Sequence, residues 1–224
     1  MLIPRLLSYS ATYLARLTGR WLPDVLWRVP TSTRTAYLTF DDGPSVRGTP
    51  ALLDLLARYD ARATFFLLGR HAEERPELVK RLIAAGHTIG NHTHNHPDAW
   101  RTPADDVRAS LVRAGEALQR ISNTDLSFMR PPYGRFTRAM RDWCTGVRQR
   151  MVLWDVMPGD FYPGASSEFI ERFVVRFTRP GSVIVLHDNP KFLDVTLPAL
   201  EGILRRLSAD GWRFEALSAA PAEK

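Results

Sequence analysis

The feature that most restricts what this chain can fold into is an alternation. From Ala36 onward, short apolar runs rich in β-formers are separated by longer segments whose apolar residues recur at helical spacing. That rhythm belongs to repeated strand-helix units around a parallel sheet. The runs at 36–40, 63–68, 88–90, 127–129, 151–154, 183–186 and 213–216 read as seven strands, and the segments at 49–59, 72–85, 103–121, 138–145, 166–178 and 196–209 as helices. Gly86 follows the Leu78, Leu82, Ile83 stripe as a helix stop, Gly211 does the same after Leu204 and Leu207, and Pro50 and Pro103 sit where a first helical turn tolerates proline. The expected fold is α/β, a distorted (β/α)7 barrel.

At 224 residues, 45% hydrophobic and 24% charged, the chain is long enough for one domain with a full core. A single cysteine, Cys144, excludes an internal disulfide and a cysteine-based zinc cluster. The net charge of +6 comes from scattered Arg and Lys without a long basic run, so a nucleic-acid partner is not expected. A net positive field does attract anionic surfaces such as a cell-wall polymer or lipid head groups.

Residues 1–33 read as an N-terminal amphipathic helical leader and 34–220 as the single folded domain. Pro4, Arg5, Arg16 and Arg20 interrupt the leader's apolar patches, leaving neither a span of about 18 apolar residues nor the core of a signal peptide. A cytoplasmic or peripheral membrane location is favoured on that ground. Leu6, Tyr9, Tyr13, Leu14 and Leu17 recur at helical spacing. That stripe is expected to pack on the domain's own surface or to lie on a membrane interface.

Polar clusters fall directly after the strand runs, at Asp41-Asp42, 91–96, 130–133, 155–160 and His187-Asp188. In a barrel of parallel strands these ends share one face, so groups distant in sequence meet there. Asp41 and Asp42 close an apolar run before Gly43-Pro44. Two adjacent acids resist joint ionisation in a dry site unless a cation or an Arg relieves them, although alone they also fit a solvated turn. Three of the chain's six histidines lie in His92-Thr93-His94-Asn95-His96. In a single helical turn, His92 and His96 share one face, while His94 points elsewhere, toward solvent. Two imidazoles and a carboxylate leave open positions on a catalytic zinc ion, and the same set suits a non-haem iron oxygenase.

The segments Thr39 to Pro44, His92 to Pro97 and Arg130-Pro131-Pro132-Tyr133-Gly134, followed by Trp154 with Asp160 and Phe161 and then Val185-Leu186-His187, resemble in order and spacing the five motifs of the polysaccharide deacetylases, carbohydrate esterase family 4, with its nodulation-type chitooligosaccharide deacetylase homology domain. The resemblance implies a hydrolase that removes acetyl from N-acetylated sugars of a glycan. It implies that Asp42, His92 and His96 hold a divalent metal, zinc foremost, with Co, Ni, Mn or Fe also able to fill the site. It further implies that Asp41 is the general base, that Arg130 pairs with it, that the Tyr133 N–H helps stabilise the oxyanion, and that His187 is the general acid with Asp160 as its partner. Tyr133, Trp154, Phe161 and Val185 then wall the substrate pocket; Phe161 and Val185 replace the family's usual Trp and Leu. Asp155 and Asp188 read as supporting or turn residues, and His71 and His87 receive no role. The partner is an N-acetylglucosamine-containing glycan, and the chain is expected to act as a monomer. The rival readings are an O-acetyl esterase or deformylase on another sugar or lipid-linked sugar, the iron oxygenase, and an inactive carbohydrate-binding domain.

Overall fold

A computed structural model describes residues 2–19 and 21–219; Met1, Arg20 and 220–224 lie outside the described residues. In chain order the elements are α1 (Leu2–Thr18), β1 (Val25–Leu26), β2 (Thr35–Asp41), α2 (Gly48–Arg58), β3 (Ala63–Leu67), α3 (Gly69–Glu74), α4 (Pro76–Ala84), β4 (Thr88–Asn91) and α5 (Ala104–Ser122). There follow β5 (Phe128–Met129), a 3-10 turn (Pro132–Gly134), α6 (Arg138–Gly146), β6 (Arg150–Val152), α7 (Ser167–Phe177), β7 (Val183–His187), α8 (Leu193–Ala209) and β8 (Arg213–Phe214).

All strand pairs are parallel, in the order β1-β6-β5-β4-β3-β2-β7, and β8 adds to β2 off that path. The two ends curl toward each other: Arg28 bridges to Ser182, Val156 bridges to Ile184, and the Val29 N–H donates to the Gly181 carbonyl. The result is the expected distorted barrel, with one difference in its seventh staff. The run at 213–216 forms only the short off-path β8, and the seventh position is taken by Val25–Leu26, inside the stretch read as leader. A two-residue strand is too short to carry a period of two, so only its pairing to Met151 and Val152 reveals it.

The strands are buried on both faces, as parallel strands covered by helices must be. In β3, Phe65 packs outward among α2, α7 and α8 residues such as Leu52, Phe173 and Leu200, whereas its neighbour Phe66 points inward to Val152 and Val183. A third cluster, beneath α5 and α6, gathers Val107, Leu111, Met129, Met140 and the buried Cys144. The helix expected at 72–85 is two helices, because Pro76 disfavours helical backbone at Arg75 (φ −139) and restarts the helix as its first residue.

Helix α1 packs on the domain, but through a different face from the expected one. Ser8, Thr12 and Ala15 are buried: the Ser8 hydroxyl donates to the Pro158 carbonyl at 2.7 Å and the Thr12 hydroxyl accepts from the Met157 N–H at 3.2 Å. The loop it covers presents backbone polar groups, and hydroxyls satisfy these where leucines cannot. Of the apolar stripe, Tyr9 and Tyr13 meet the domain edge-on at Phe173 and Phe177, while Leu6, Leu14 and Leu17 are exposed.

Phe65, fully buried, stacks on Phe40 with centroids 5.0 Å apart and meets the His87 ring edge-on. Phe65→Ala should therefore lower the unfolding free energy by about 3–5 kcal/mol in urea titrations; a loss below about 1 kcal/mol would mean that this layer is not close-packed.

Candidate active site

Strand register sets the stage for the site. Asp41 lies opposite His187, and Asn91 is opposite both Leu67 and Met129, so the C-terminal ends of β2, β7, β3, β4 and β5 are level on one rim. Asp41, Asp42, His92, His96, Tyr133, Trp154, Phe161, Val185 and His187 all line one cavity of about 430 Å³ on that rim. Arg130 and Asp160 stand directly behind it. A larger cavity of about 600 Å³, between α5 and α6, holds none of these groups.

Backbone conformation, more than side-chain spacing, brings the groups together. In a continuing strand, Asp42 would point away from Asp41. Its left-handed backbone, φ 74°, instead ends β2 and turns the carboxylate back to the same face. Thr93 (φ 68°), His96 (φ 59°) and Tyr133 (φ 59°) are also left-handed, so four of the seven non-glycine residues with positive φ among the described residues lie in the rim loops. Such strain persists only where surrounding contacts impose it. The segment 92–96 is consequently an irregular loop with no helical turn, contrary to the sequence-based picture. At Gly134, a Cβ would come 2.7 Å from the Trp154 ring, so the loop closes onto that indole only because glycine stands there.

Three donors converge. Ligand atoms of Asp42, His92 and His96 all lie within 4.8 Å of one another. Asp42 Oδ1 is 3.8 Å from His92 Nε2 and 3.5 Å from His96 Nε2. His92 Nδ1 donates to the Arg130 carbonyl at 2.8 Å, which leaves the Nε2 lone pair facing Asp42. Burial, with the neighbouring His92, pushes the His96 pKa down to about 4, so this imidazole is neutral at neutral pH. Burial alone would raise Asp42, but the facing His187, His92 and His96 and a 3.1 Å hydrogen bond from Asn189 outweigh it and hold its carboxyl below the usual range. One carboxylate oxygen and two imidazole nitrogens converging at this spacing fit a divalent cation.

Behind them, Arg130 is completely buried. Its Nη1 donates to Asp41 Oδ1 and to the Thr39 hydroxyl, each at 2.7 Å; Nη2 reaches the Leu153 carbonyl at 3.0 Å and Nε the Val152 carbonyl at 3.3 Å. The guanidinium also lies 4.2 Å from the centroid of the Phe66 ring. Asp41 Oδ2 is left facing the His92 side of the cavity.

On the opposite wall, His187 Nδ1 donates to Asp160 Oδ1 at 2.8 Å, while Asp160 Oδ2 accepts the His187 N–H and the Thr196 hydroxyl, both at 2.9 Å. Burial would lower the His187 pKa, but the charge and hydrogen bond of Asp160, aided by Asp42 and Asp41, win and raise it to about 9. Phe161 and Phe192 stand edge-on to its ring.

Several sequence-based expectations need correction. His94 is buried rather than solvent-facing, its N–H held by the Ser110 hydroxyl. His71, given no role, donates from Nδ1 to the Asp42 carbonyl at 2.8 Å and so helps hold the turn. Asp155 lies outside the cavity, bonded to Arg179, Ser182 and the Val183 N–H. Asp188 is buried against the hydroxyls of Ser45 and Thr49, which lower its pKa less than burial raises it, leaving it at about 6. Asn189 and Lys191 line the cavity unforeseen. Asn189 was within reach of the strand-end argument, two residues past His187.

The family model described as polysaccharide deacetylase matches residues 28–148. A peptidoglycan-N-acetylglucosamine deacetylase of Bacillus cereus is 39% identical over 181 residues, covering 80% of this chain and 66% of its own length. A chitooligosaccharide deacetylase of Sinorhizobium fredii is 34% identical, with 87% of this chain and 96% of that protein covered. The crystal structure of the Bc1960 peptidoglycan N-acetylglucosamine deacetylase superposes with a TM-score of 0.83 at 35% identity, over 89% of this chain and 94% of that one. On fold, motif order and kinship together, this chain belongs to the polysaccharide deacetylase family.

Proposed function

We propose that the chain is a divalent-metal-dependent hydrolase that removes acetyl from N-acetylated sugars of a glycan, with Asp42, His92 and His96 holding the metal and zinc as the favoured ion. One observation carries this reading: a carboxylate tied to a buried guanidinium and an imidazole tied to a buried carboxylate line the same cavity as a three-donor cation site. The two relatives named above act, by name, on peptidoglycan N-acetylglucosamine and chitooligosaccharides, which supports an N-acetylglucosamine-containing glycan as substrate.

When bound, the cation supplies Lewis acidity toward water and toward the acyl oxygen. Asp41, paired with and aimed by Arg130, takes a proton from the attacking water. Negative charge then grows on the acyl oxygen, where a fixed N–H lowers the barrier. Pro131 and Pro132 have none to give, so Tyr133 is the first residue after Arg130 able to supply it. His187 holds its Nδ1 proton against Asp160, leaving Nε2–H to protonate the departing nitrogen. Trp154, Phe161 and Val185, with the Tyr133 ring, form the apolar wall beside the acetyl methyl.

An ester leaves without strong protonation, so the built His187–Asp160 acid favours the amide over the O-acetyl reading. An iron oxygenase has no task for that acid or for the Arg130–Asp41 pair, and a mere binding module needs neither. Leu6, Leu14 and Leu17, exposed on α1, support peripheral association with a membrane surface; no helix among the described residues is long and apolar enough to cross a membrane.

Acetate release should be measured on acetylated chitin, peptidoglycan and xylan fragments, with zinc restored after chelation. We expect zinc-dependent release from the first two; release from xylan alone would overturn the N-acetyl assignment, and none with any metal would favour a binding module. Asp42→Ala should abolish zinc retention, whereas Asp41→Asn should keep the metal and lose about 10²–10⁴-fold in kcat; equal zinc loss in both would refute the division between base and ligand.

Because the His187 pKa is raised and the acid acts protonated, activity is present below that pKa and falls as pH rises through it. Asp160→Asn removes the largest raising influence while burial and the remaining Asp41 and Asp42 charges stay. The alkaline limb of the kcat/KM profile should then move to lower pH, and an unmoved limb would exclude His187 as the acid.

A further inference from the structure

A separate cavity, of about 390 Å³, opens between α1 and the β1 region, and Arg16, Trp27, Arg28, Arg150, Arg179 and Asp155 line it. Four arginines thus share this hollow with one carboxylate; Arg16 Nη2 donates to the Phe177 carbonyl at 2.6 Å and Arg28 Nη1 to the Pro180 carbonyl at 2.7 Å, and the carboxylate is already committed. Asp155 Oδ2 accepts from Arg179 Nε at 3.1 Å and from the Ser182 hydroxyl at 3.2 Å, and its Oδ1 accepts the Val183 N–H at 3.0 Å. Arg16 Nε is left 4.0 Å away, beyond hydrogen-bond length.

Arg16 Nε and Trp27 Nε1 are buried donors without a hydrogen-bond partner among the described residues. Two orphaned N–H groups and a surplus of positive charge around one hollow are costly unless an acceptor-rich anion enters. Guanidinium forks match the oxygens of a phosphate.

The helix that roofs this cavity presents Leu14, Leu17 and, just beyond its end, Trp21 to solvent, exposed by 60, 65 and 84%. Apolar side chains beside a basic hollow are what a lipid interface engages, the chains seating in the acyl boundary and the arginines meeting phosphate.

We propose that the arginine-lined cavity under α1 binds the phosphate of an anionic phospholipid head group, anchoring the domain to a membrane surface through a site separate from the acetyl-removing pocket.

Its test is sedimentation of the full chain with vesicles of phosphatidylcholine alone or mixed with phosphatidylglycerol, with inorganic phosphate as competitor and as a separate calorimetric titrant. The chain should sediment with the mixed vesicles only, and phosphate should reduce that binding. Arg28→Gln and Arg150→Gln, which leave the Asp155–Arg179 pair intact, should each weaken it about fivefold, and Lys at the same positions should restore most of it. Trp21→Ala should weaken vesicle binding and leave inorganic phosphate binding unchanged. Phosphate binding that the Gln variants lose, without vesicle binding, would overturn the lipid source in favour of free phosphate. Vesicle binding that the Gln variants share with the parent, or equal binding to phosphatidylcholine alone, would overturn the cavity as the site. A folded chain that binds neither probe overturns the proposal entirely.

Discussion

The buried ion pair between Arg130 and Asp41 is the interaction on which both the barrel and its chemistry depend. Removing a guanidinium from water costs several kcal/mol, and only good geometry with further acceptors repays it. Here the repayment comes from Asp41, the Thr39 hydroxyl and the carbonyls of Val152 and Leu153. Those acceptors sit in β2 and at the end of β6, while Arg130 itself follows β5. One side chain therefore ties three strands across the barrel's interior. Breaking such a pair from one side typically costs about 3–5 kcal/mol, a large part of the roughly 5–15 kcal/mol that holds a domain together. Stability and the orientation of Asp41 are the same contact seen from two directions.

Adjacent carboxylates are turned to different partners by a single backbone dihedral. Asp41 completes the ladder with β7 and looks into the protein toward Arg130; Asp42 leaves the strand in a left-handed conformation and faces the imidazoles. His71 and Asn189 brace that turn from two sides, one through the Asp42 carbonyl and the other through its second oxygen. The opposite wall repeats the arrangement with the charges exchanged, an imidazole steadied by Asp160 and by Thr196 behind it. Side chains each held by a partner that is itself held give a site its precision.

The strand ends were the readable part of this chain. Polar residues that abruptly terminate apolar runs, at Asp41, His92, Arg130 and His187, announced both the parallel sheet and the rim on which the groups meet, because only a parallel barrel collects them. What escaped was set by long-range contact. Nothing in Val25–Leu26 marks a strand until Met151 and Val152 stand beside it. The spacing of His92 and His96 suggested a helical turn, while left-handed residues at Thr93 and His96 make the approach by another route. The leader's face was misjudged for a similar reason: hydrophobic periodicity identifies the apolar side of a helix, but Ser8 and Thr12 were claimed by a loop with backbone groups to satisfy. The break at Pro76 was legible and was masked by a stripe that continues smoothly across it.

Cys144 lies within the cluster under α6, and burial pushes its thiol up to about 12. Almost none of it is thiolate at neutral pH, so it is a poor partner for disulfide exchange and a poor target for oxidants. With a single, buried cysteine, the cohesion of this chain comes from packing and from the buried Arg130 contacts rather than from a sulfur cross-link.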